Sequence, residues 1–193
     1  MADLLNSKPN TNYGDDTIVT LSPRDHIRLR PGMYIGKLGD GSQPDDGIYV
    51  LIKEVVDNSI DEYMNGFGHE IDITIADNVV TVRDFGRGIP LKMLGPAVSV
   101  MNTGGKYEEG KAFKKTVGLN GVGVKAVNML SSEFTARSVR GGEAHTVVFA
   151  QGLEQSDRWE SNVDEKDGTF ISFRVDEEVF GQYSYNMEYV VQL

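Results

Sequence analysis

Ile48-Tyr49-Val50-Leu51-Ile52-Lys53-Glu54-Val55-Val56-Asp57-Asn58-Ser59-Ile60-Asp61-Glu62-Tyr63-Met64 is the stretch from which the rest of the 193-residue chain can be read. Its apolar residues Leu51, Ile52, Val55, Val56, Ile60, Tyr63 and Met64 recur at three- and four-residue steps, the period of a helix with one buried stripe. Glu54, Asp57, Asn58, Asp61 and Glu62 fall at i, i+3, i+4, i+7 and i+8, and so share the opposite face. Like charges at these spacings repel by about 0.2–0.5 kcal/mol per pair. A solvated acidic face is the ordinary reading of such a pattern. The alternative is that something bound, or a salt bridge, offsets the repulsion.

Working outward, Ser22-Pro23 supplies an N-cap and a first-turn proline for a short helix through Arg30, ended by Pro31-Gly32. A Gly/Asp-rich loop from Gly39 to Gly47 leads into the long helix, and Gly66 and Gly68 close it. Two strands follow, Ile71 to Ile75 and Val79 to Val82, with Asp77-Asn78 as the turn between them. A glycine-rich turn and a short helix near Leu94 to Met101 come next. Asn102 to Gly118 has no clear period and is expected to be a long mobile lid. A helix is expected from Gly123 to Leu130. Four antiparallel strands are then expected at Glu133 to Val139, His145 to Ala150, Arg158 to Val163 and Thr169 to Val175. Residues 1–20 are expected to form a flexible arm and residues 21–193 one domain. Met187 to Leu193 begins an apolar helical pattern without a capping signal, which suggests a fragment of a longer subunit.

Composition narrows the function classes. With 39% hydrophobic and 25% charged residues the chain has the usage of a globular domain. The absence of cysteine excludes disulfides and thiolate metal sites. His26, His69 and His145 are scattered without ligand spacing, which argues against zinc. Nineteen basic against 29 acidic residues give a net charge of −10, so DNA is not expected to be held by bulk electrostatics. No signal peptide and no bilayer-length apolar run is present, and a soluble, cytoplasmic protein is expected.

Four local patterns carry chemistry. On the long helix, the Asn58 amide oxygen suits a hard cation such as Mg²⁺ beside phosphate oxygens. Glu54, a turn earlier, can polarise water for attack on a terminal phosphate. Asp84-Phe85-Gly86-Arg87-Gly88-Ile89-Pro90 follows a strand; an aspartate there can accept from an exocyclic amine such as adenine N6, and Gly86 and Gly88 admit a flat base close to the backbone. A plain strand-to-helix turn is the rival reading. Gly118-Leu119-Asn120-Gly121-Val122-Gly123 precedes a helix and offers backbone N–H groups as a phosphate cradle, with a glycine hinge as its rival. Gly168-Thr169 opens a late strand, where the Thr169 hydroxyl can reach a base through water. Gly105-Lys106 continues with Tyr107, which excludes a P-loop, and no glycine spacing fits a dinucleotide fingerprint.

In this order the four patterns resemble the Bergerat-type (GHKL) ATPase fold of gyrase, Hsp90-type chaperones, histidine kinases and MutL. Arg30-Pro31-Gly32-Met33-Tyr34-Ile35-Gly36, Glu54 to Glu62 and Gly121-Val122-Gly123-Val124 look most like the B subunit of bacterial type II topoisomerases, which the other branches match less well because they lack the first of these. The resemblance implies an α+β fold, a two-layer α/β sandwich with helices on one face of a mixed, mostly antiparallel sheet. It implies ATP and Mg²⁺ as cofactors, Glu54 as general base and Asn58 as magnesium ligand. Asp84 would bind the adenine amine with Thr169 assisting, and Gly86, Gly88, Ile89 and Pro90 would line the base site. Gly104, Gly105, Lys106 and Gly118, Leu119, Asn120, Gly121, Val122 and Gly123 would wrap the triphosphate. Asp57, Glu62, Arg87 and Arg140 would form, with Pro90, an outer lip where aminocoumarin-type inhibitors bind, Arg87 pairing with Glu62. Tyr13 would reach the nucleotide of a partner subunit.

The implied partners are the topoisomerase A subunit and a second B subunit, with DNA held by other domains, no membrane, and a bacterial, nucleoid-associated cytoplasmic setting. ATP-driven dimerisation would gate strand passage. Asn120 stands where gyrase B subunits usually carry His, which favours topoisomerase IV over gyrase. The transducer lysine of the family is absent from the chain, so weak turnover is expected. An Hsp90- or MutL-like ATP clamp and a non-catalytic nucleotide sensor are the rival functions.

Overall fold

The computed structural model describes residue 14, residues 18–105 and residues 121–193. Helix α1 spans Pro23–Leu29, with the Ser22 hydroxyl accepting from the Asp25 N–H as expected of an N-cap. Helix α2, Gly32–Ile35, is a single turn after Pro31, where the sequence had suggested only a helix end. Helix α3, Gly47–Met64, is the long helix. Its N-cap residue Asp46 does not cap through its side chain. That carboxylate is taken by the Gly41 and Gln43 N–H groups, at 2.9 and 3.1 Å, and by the Lys37 ammonium at 3.0 Å.

Among the described residues six strands follow: β1 Ile71–Ala76, β2 Val79–Asp84, β3 Ser131–Arg140, β4 Glu143–Ala150, β5 Leu153–Ser161 and β6 Gly168–Val175. Between β2 and β3 lie a 3-10 turn at Leu91–Met93, α4 at Leu94–Ser99 and α5 at Gly123–Met129. The order across the sheet is β1-β2-β6-β3-β4-β5. Three two-residue turns build its hairpins: Asp77-Asn78, Gly141-Gly142 and Gln151-Gly152, all with positive φ at both positions. That is the type I′ geometry, whose twist matches the flanking strands.

Among the described residues every strand pairing is antiparallel, where mixed, mostly antiparallel strands were expected. The helical crossover does leave β2 and β3 running the same way. Strand β6 comes between them, antiparallel to both, so no parallel ladder forms. Strand β5 begins at Leu153 rather than Arg158 because the Gln151-Gly152 turn folds it straight back onto β4. Its residues are exposed almost throughout, so no alternation marks it in the sequence.

Strand β2 alternates strictly, burying Val80, Val82 and Asp84, and Phe134, Ala136, Val147, Phe149, Ile171, Phe173 and Val175 are buried on the strands beyond it. Against them pack Ile48, Leu51, Ile52 and Val55 of α3, Leu94 and Val98 of α4, and Ala126 and Val127 of α5. The two-layer arrangement is thus the expected one, with this apolar interface as its main stabilisation at ~25 cal/mol per Å² of area removed from water. Tyr63 and Met64, placed in the stripe by periodicity, are exposed instead, in the last turn of α3. Two late one-turn helices complete the fold, α6 Glu177–Phe180 and α7 Met187–Val190. The latter is capped after all, since the Asn186 side chain accepts from the Glu188 N–H.

Candidate active site

A cleft of about 950 Å³ opens between α3, the end of β2, the turn after it and the start of α5. The acidic stripe of α3 forms one wall, so it is not a solvated face. Glu54, Asp57, Asn58 and Glu62 all line the cleft, and the side chains of Asp57 and Glu62 are each only 14% exposed.

At the inner end lies Asp84, the last residue of β2 and nearly buried. Its Oδ1 accepts from the Gly86 N–H at 3.0 Å and the Thr169 N–H at 3.1 Å. Its Oδ2 accepts from the Ser59 hydroxyl at 3.2 Å. Burial pushes this carboxyl above the ordinary aspartate range; the Gly86, Thr169 and Ser59 donors pull it down, and the nearby Glu62 charge pushes it up further. The group is thus an acceptor-rich carboxylate in an apolar setting of Val55, Val82, Ile89, Pro90 and Ile171. A flat apolar ring bearing an amine donor matches that chemistry.

The glycines have clear steric reasons. At Gly88, with φ +70°, an added Cβ would meet the Val139 carbonyl oxygen at 2.7 Å. Gly86 requires a correction: it does not line the cleft but lies behind Asp84, on a smaller cavity. A Cβ there would meet Glu62 at 2.9 Å, so this glycine makes room for Glu62 and gives its N–H to Asp84. Gly168 is held at φ +139° with its Cβ position 2.1 Å from the Asp84 carbonyl oxygen, which brings β6 and Thr169 against the aspartate. The backbone N–H of Thr169 thus reaches Asp84 directly, while its side chain lines the cleft.

Five residues before Ser59 on α3, about 7.5 Å along the axis at 1.5 Å per residue, stands Glu54. Its carboxylate abuts the first residue of α5: a Cβ on Gly123 would lie 1.7 Å from Glu54 Oε2. The Asn58 side-chain nitrogen donates to the Glu54 carbonyl at 2.8 Å, which commits the nitrogen end of the amide to the helix. Gly104, Gly105, Gly121, Val122 and Gly123 line this end. Among the described residues no cluster of three or more acidic or histidine side chains is set to hold a metal ion. A cation here would rest on Asn58 and on oxygens of the ligand, the pattern usual for Mg²⁺.

At the mouth, Glu62 accepts from Arg87 Nη2 and Nε, one edge of the guanidinium, at 2.9 and 3.1 Å, and from its backbone N–H at 2.9 Å. The expected Arg87–Glu62 pair is therefore present, and the pairing raises the arginine's proton affinity. The guanidinium also sits 4.0 Å over the Phe67 ring. Arg140 Nη1 donates to the Gly88 carbonyl at 3.3 Å. Asp57 is held by Lys53 one turn before it.

The expected site residues Tyr13, Lys106, Gly118, Leu119 and Asn120 lie outside the described residues. Sequence reasoning missed two that the fold brings in. Ser59 was only one letter of a motif until Asp84 came within reach of it. Lys125, 3% exposed on α5 and lining the cleft, donates to the Thr103 carbonyl at 2.6 Å; its position two residues after the Gly-Val-Gly start was the available signal.

Known proteins resemble this chain in sequence and in fold. The sequence model described as "Histidine kinase-, DNA gyrase B-, and HSP90-like ATPase" matches residues 44–179. The chain is 53% identical over 93% of its length to the B subunit of DNA topoisomerase 4 from Borreliella burgdorferi, covering 30% of that protein. It is 39% identical over 97% of its length to the DNA gyrase B subunit of Staphylococcus epidermidis, again covering 30%. The chain thus spans about a third or less of the relatives it matches. The 43K ATPase domain of Thermus thermophilus gyrase B, solved with an aminocoumarin, superposes with a TM-score of 0.73 at 27% identity, over 88% of this chain and 43% of that one.

Proposed function

We propose that this chain, which belongs to the histidine kinase-, DNA gyrase B- and HSP90-like ATPase family, is the ATP-binding and ATP-hydrolysing part of a bacterial type II DNA topoisomerase B subunit. The observation that carries the reading is the single cleft that joins a nearly buried acceptor carboxylate, Asp84, to a glycine-bordered end bearing Asn58 and Glu54. The residues fit the cofactor. Asp84 accepts the base amine, Val55, Val82, Ile89 and Ile171 exclude water from the ring, and Thr169 completes the inner wall. Gly104, Gly105 and Gly121 to Gly123 admit phosphates to the backbone, and Asn58 offers one amide oxygen to Mg²⁺. ATP supplies the phosphoanhydride and Mg²⁺ the charge neutralisation of its oxygens. Glu54 takes the proton of a water as general base, a role worth about 10²–10⁴-fold in rate.

Topoisomerase IV is favoured over gyrase, supported by the 53% against 39% identity and by Asn120 in the sequence. The whole subunit would pair with a second B subunit and with the A subunit, in the bacterial cytoplasm at the nucleoid. The arm carrying Tyr13 would reach the nucleotide of the partner subunit, Lys106 and Gly118 to Asn120 would help wrap the triphosphate, and ATP binding would drive dimerisation that gates strand passage. With a net charge of −10, DNA contact falls to other domains. The rim of Asp57, Glu62, Arg87, Pro90 and Arg140 would receive aminocoumarin-type inhibitors, a reading supported by the aminocoumarin complex of the Thermus thermophilus domain.

Calorimetric titration with ATP and GTP, each with and without Mg²⁺, tests the reading. Binding of ATP, strengthened by Mg²⁺ and at least tenfold tighter than GTP, is expected. A folded protein that binds neither nucleotide at millimolar concentration would sink it.

A further inference from the structure

We propose that Ser59 is a positioning residue for base recognition, its hydroxyl holding the Asp84 carboxylate in the one orientation that leaves an acceptor facing the cleft. The inference rests on the nucleotide reading above.

A carboxylate offers about four acceptor positions, two on each oxygen. Oδ1 of Asp84 spends both on the Gly86 and Thr169 N–H groups. Oδ2 spends one on Ser59. One position therefore remains, on the oxygen that Ser59 holds. Ser59 is itself buried, 5% exposed, on the same helix as Asn58 and Glu54. Its proton thus ties the base end of the site to the helix that carries the phosphate end.

Ser59 also departs from what a helical serine usually does. Ser99 and Ser131 each return their hydroxyl to the carbonyl four residues back, at 2.8 and 2.6 Å, the local bond expected of serine in or just after a helix. Ser59 instead reaches 25 residues along the chain to Asp84. A cavity of about 230 Å³ behind Asp84, bordered by Tyr63, Phe67 and Gly86, gives the carboxylate room to turn away once that tether is cut. The charged or titratable residues that line these two cavities include Glu62 on α3, Arg87 on the turn, Arg140 on β3, and His69 and Glu70 before β1, with Glu54 and Asp57 further along α3. Of these Glu62 acts on Asp84 in the same sense as burial, and Ser59 opposes both.

The test compares wild type, Ser59→Ala and Ser59→Thr by ATP titration calorimetry across pH, together with the carbon-13 titration of the Asp84 carboxyl in the nucleotide-free protein. Loss of one hydrogen bond to a charged group predicts a roughly tenfold weaker ATP affinity for Ser59→Ala. It also predicts an Asp84 midpoint moved to higher pH and an acid limb of binding moved with it. Ser59→Thr, which keeps the hydroxyl, stays near wild type. A Ser59→Ala protein whose Asp84 midpoint and ATP affinity both match wild type overturns the proposal. Wild type that binds no ATP overturns it together with the nucleotide reading, and that failure is seen before any variant is made.

Discussion

Replacing Asp84 by Asn separates recognition from folding. The side chains are nearly isosteric. An Asn oxygen in place of Oδ1 keeps the Gly86 and Thr169 N–H bonds at 3.0 and 3.1 Å, and the amide nitrogen in place of Oδ2 can donate to the Ser59 oxygen. The change removes a charge on a residue only 6% exposed, with no cation among the causes that set its protonation. Stability is therefore expected to stay within about 1 kcal/mol of wild type or to rise. The sign with pH follows from the raised folded-state value. Wild type gains stability from Asp84 fully below the unfolded aspartate value of about 3.9 and loses it as pH rises through the folded value, so the variant's relative stability should improve from about pH 4 upward. Binding goes the other way. The base amine loses a charged acceptor, about 1.5–3 kcal/mol, and meets a buried donor instead, about 1–3 kcal/mol more. The sum, about 2.5–6 kcal/mol, is a loss of roughly 10²- to 10⁴-fold in affinity. Calorimetry with ATP and with an aminocoumarin reads the second effect, and chemical denaturation from about pH 4 to 8 the first. An Asp84→Asn protein that is folded and binds either ligand within tenfold of wild type would refute the reasoning.

Other perturbations follow from the same geometry. Glu54→Gln should keep ATP affinity within tenfold and lower hydrolysis about 10²–10⁴-fold in single-turnover assays; an unchanged rate would remove Glu54 from the chemistry. Gly123→Ala places a Cβ 1.7 Å from Glu54 Oε2, so turnover should fall at least tenfold with Glu54 still present, and a variant as active as wild type would contradict the packing. Gly168→Ala meets the Asp84 carbonyl at 2.1 Å from φ +139° and should cost more than about 3 kcal/mol, seen as a large fall in Tm or failure to fold. Glu62→Ala strips Arg87 of three hydrogen bonds. It should cost about 1–2 kcal/mol by denaturation and weaken aminocoumarin binding more than ATP binding.

Much of the fold was legible before any coordinates. The apolar steps of α3, the Ser22-Pro23 start of α1 and the Asp77-Asn78 turn encode local geometry in residue type, so their elements lie within a residue or two of where periodicity put them. The acidic stripe and the Asp84 turn could be named as chemistry because residue types at helical or strand-end spacing carry it themselves. What tertiary structure alone decided is whatever depends on residues far apart in the chain. Strand β6 lies between β2 and β3, and that makes both of its pairings antiparallel and brings the Thr169 N–H to Asp84 across 85 residues. Gly86 turns out to serve Glu62, Gly123 to make room for Glu54, and Ser59 to hold Asp84. Strand β5 exists only because β4 offers it a ladder. Local pattern fixes which face of an element is apolar, but the partner that meets the other face is chosen by packing, where a contact's energy depends on distance in space and not along the chain.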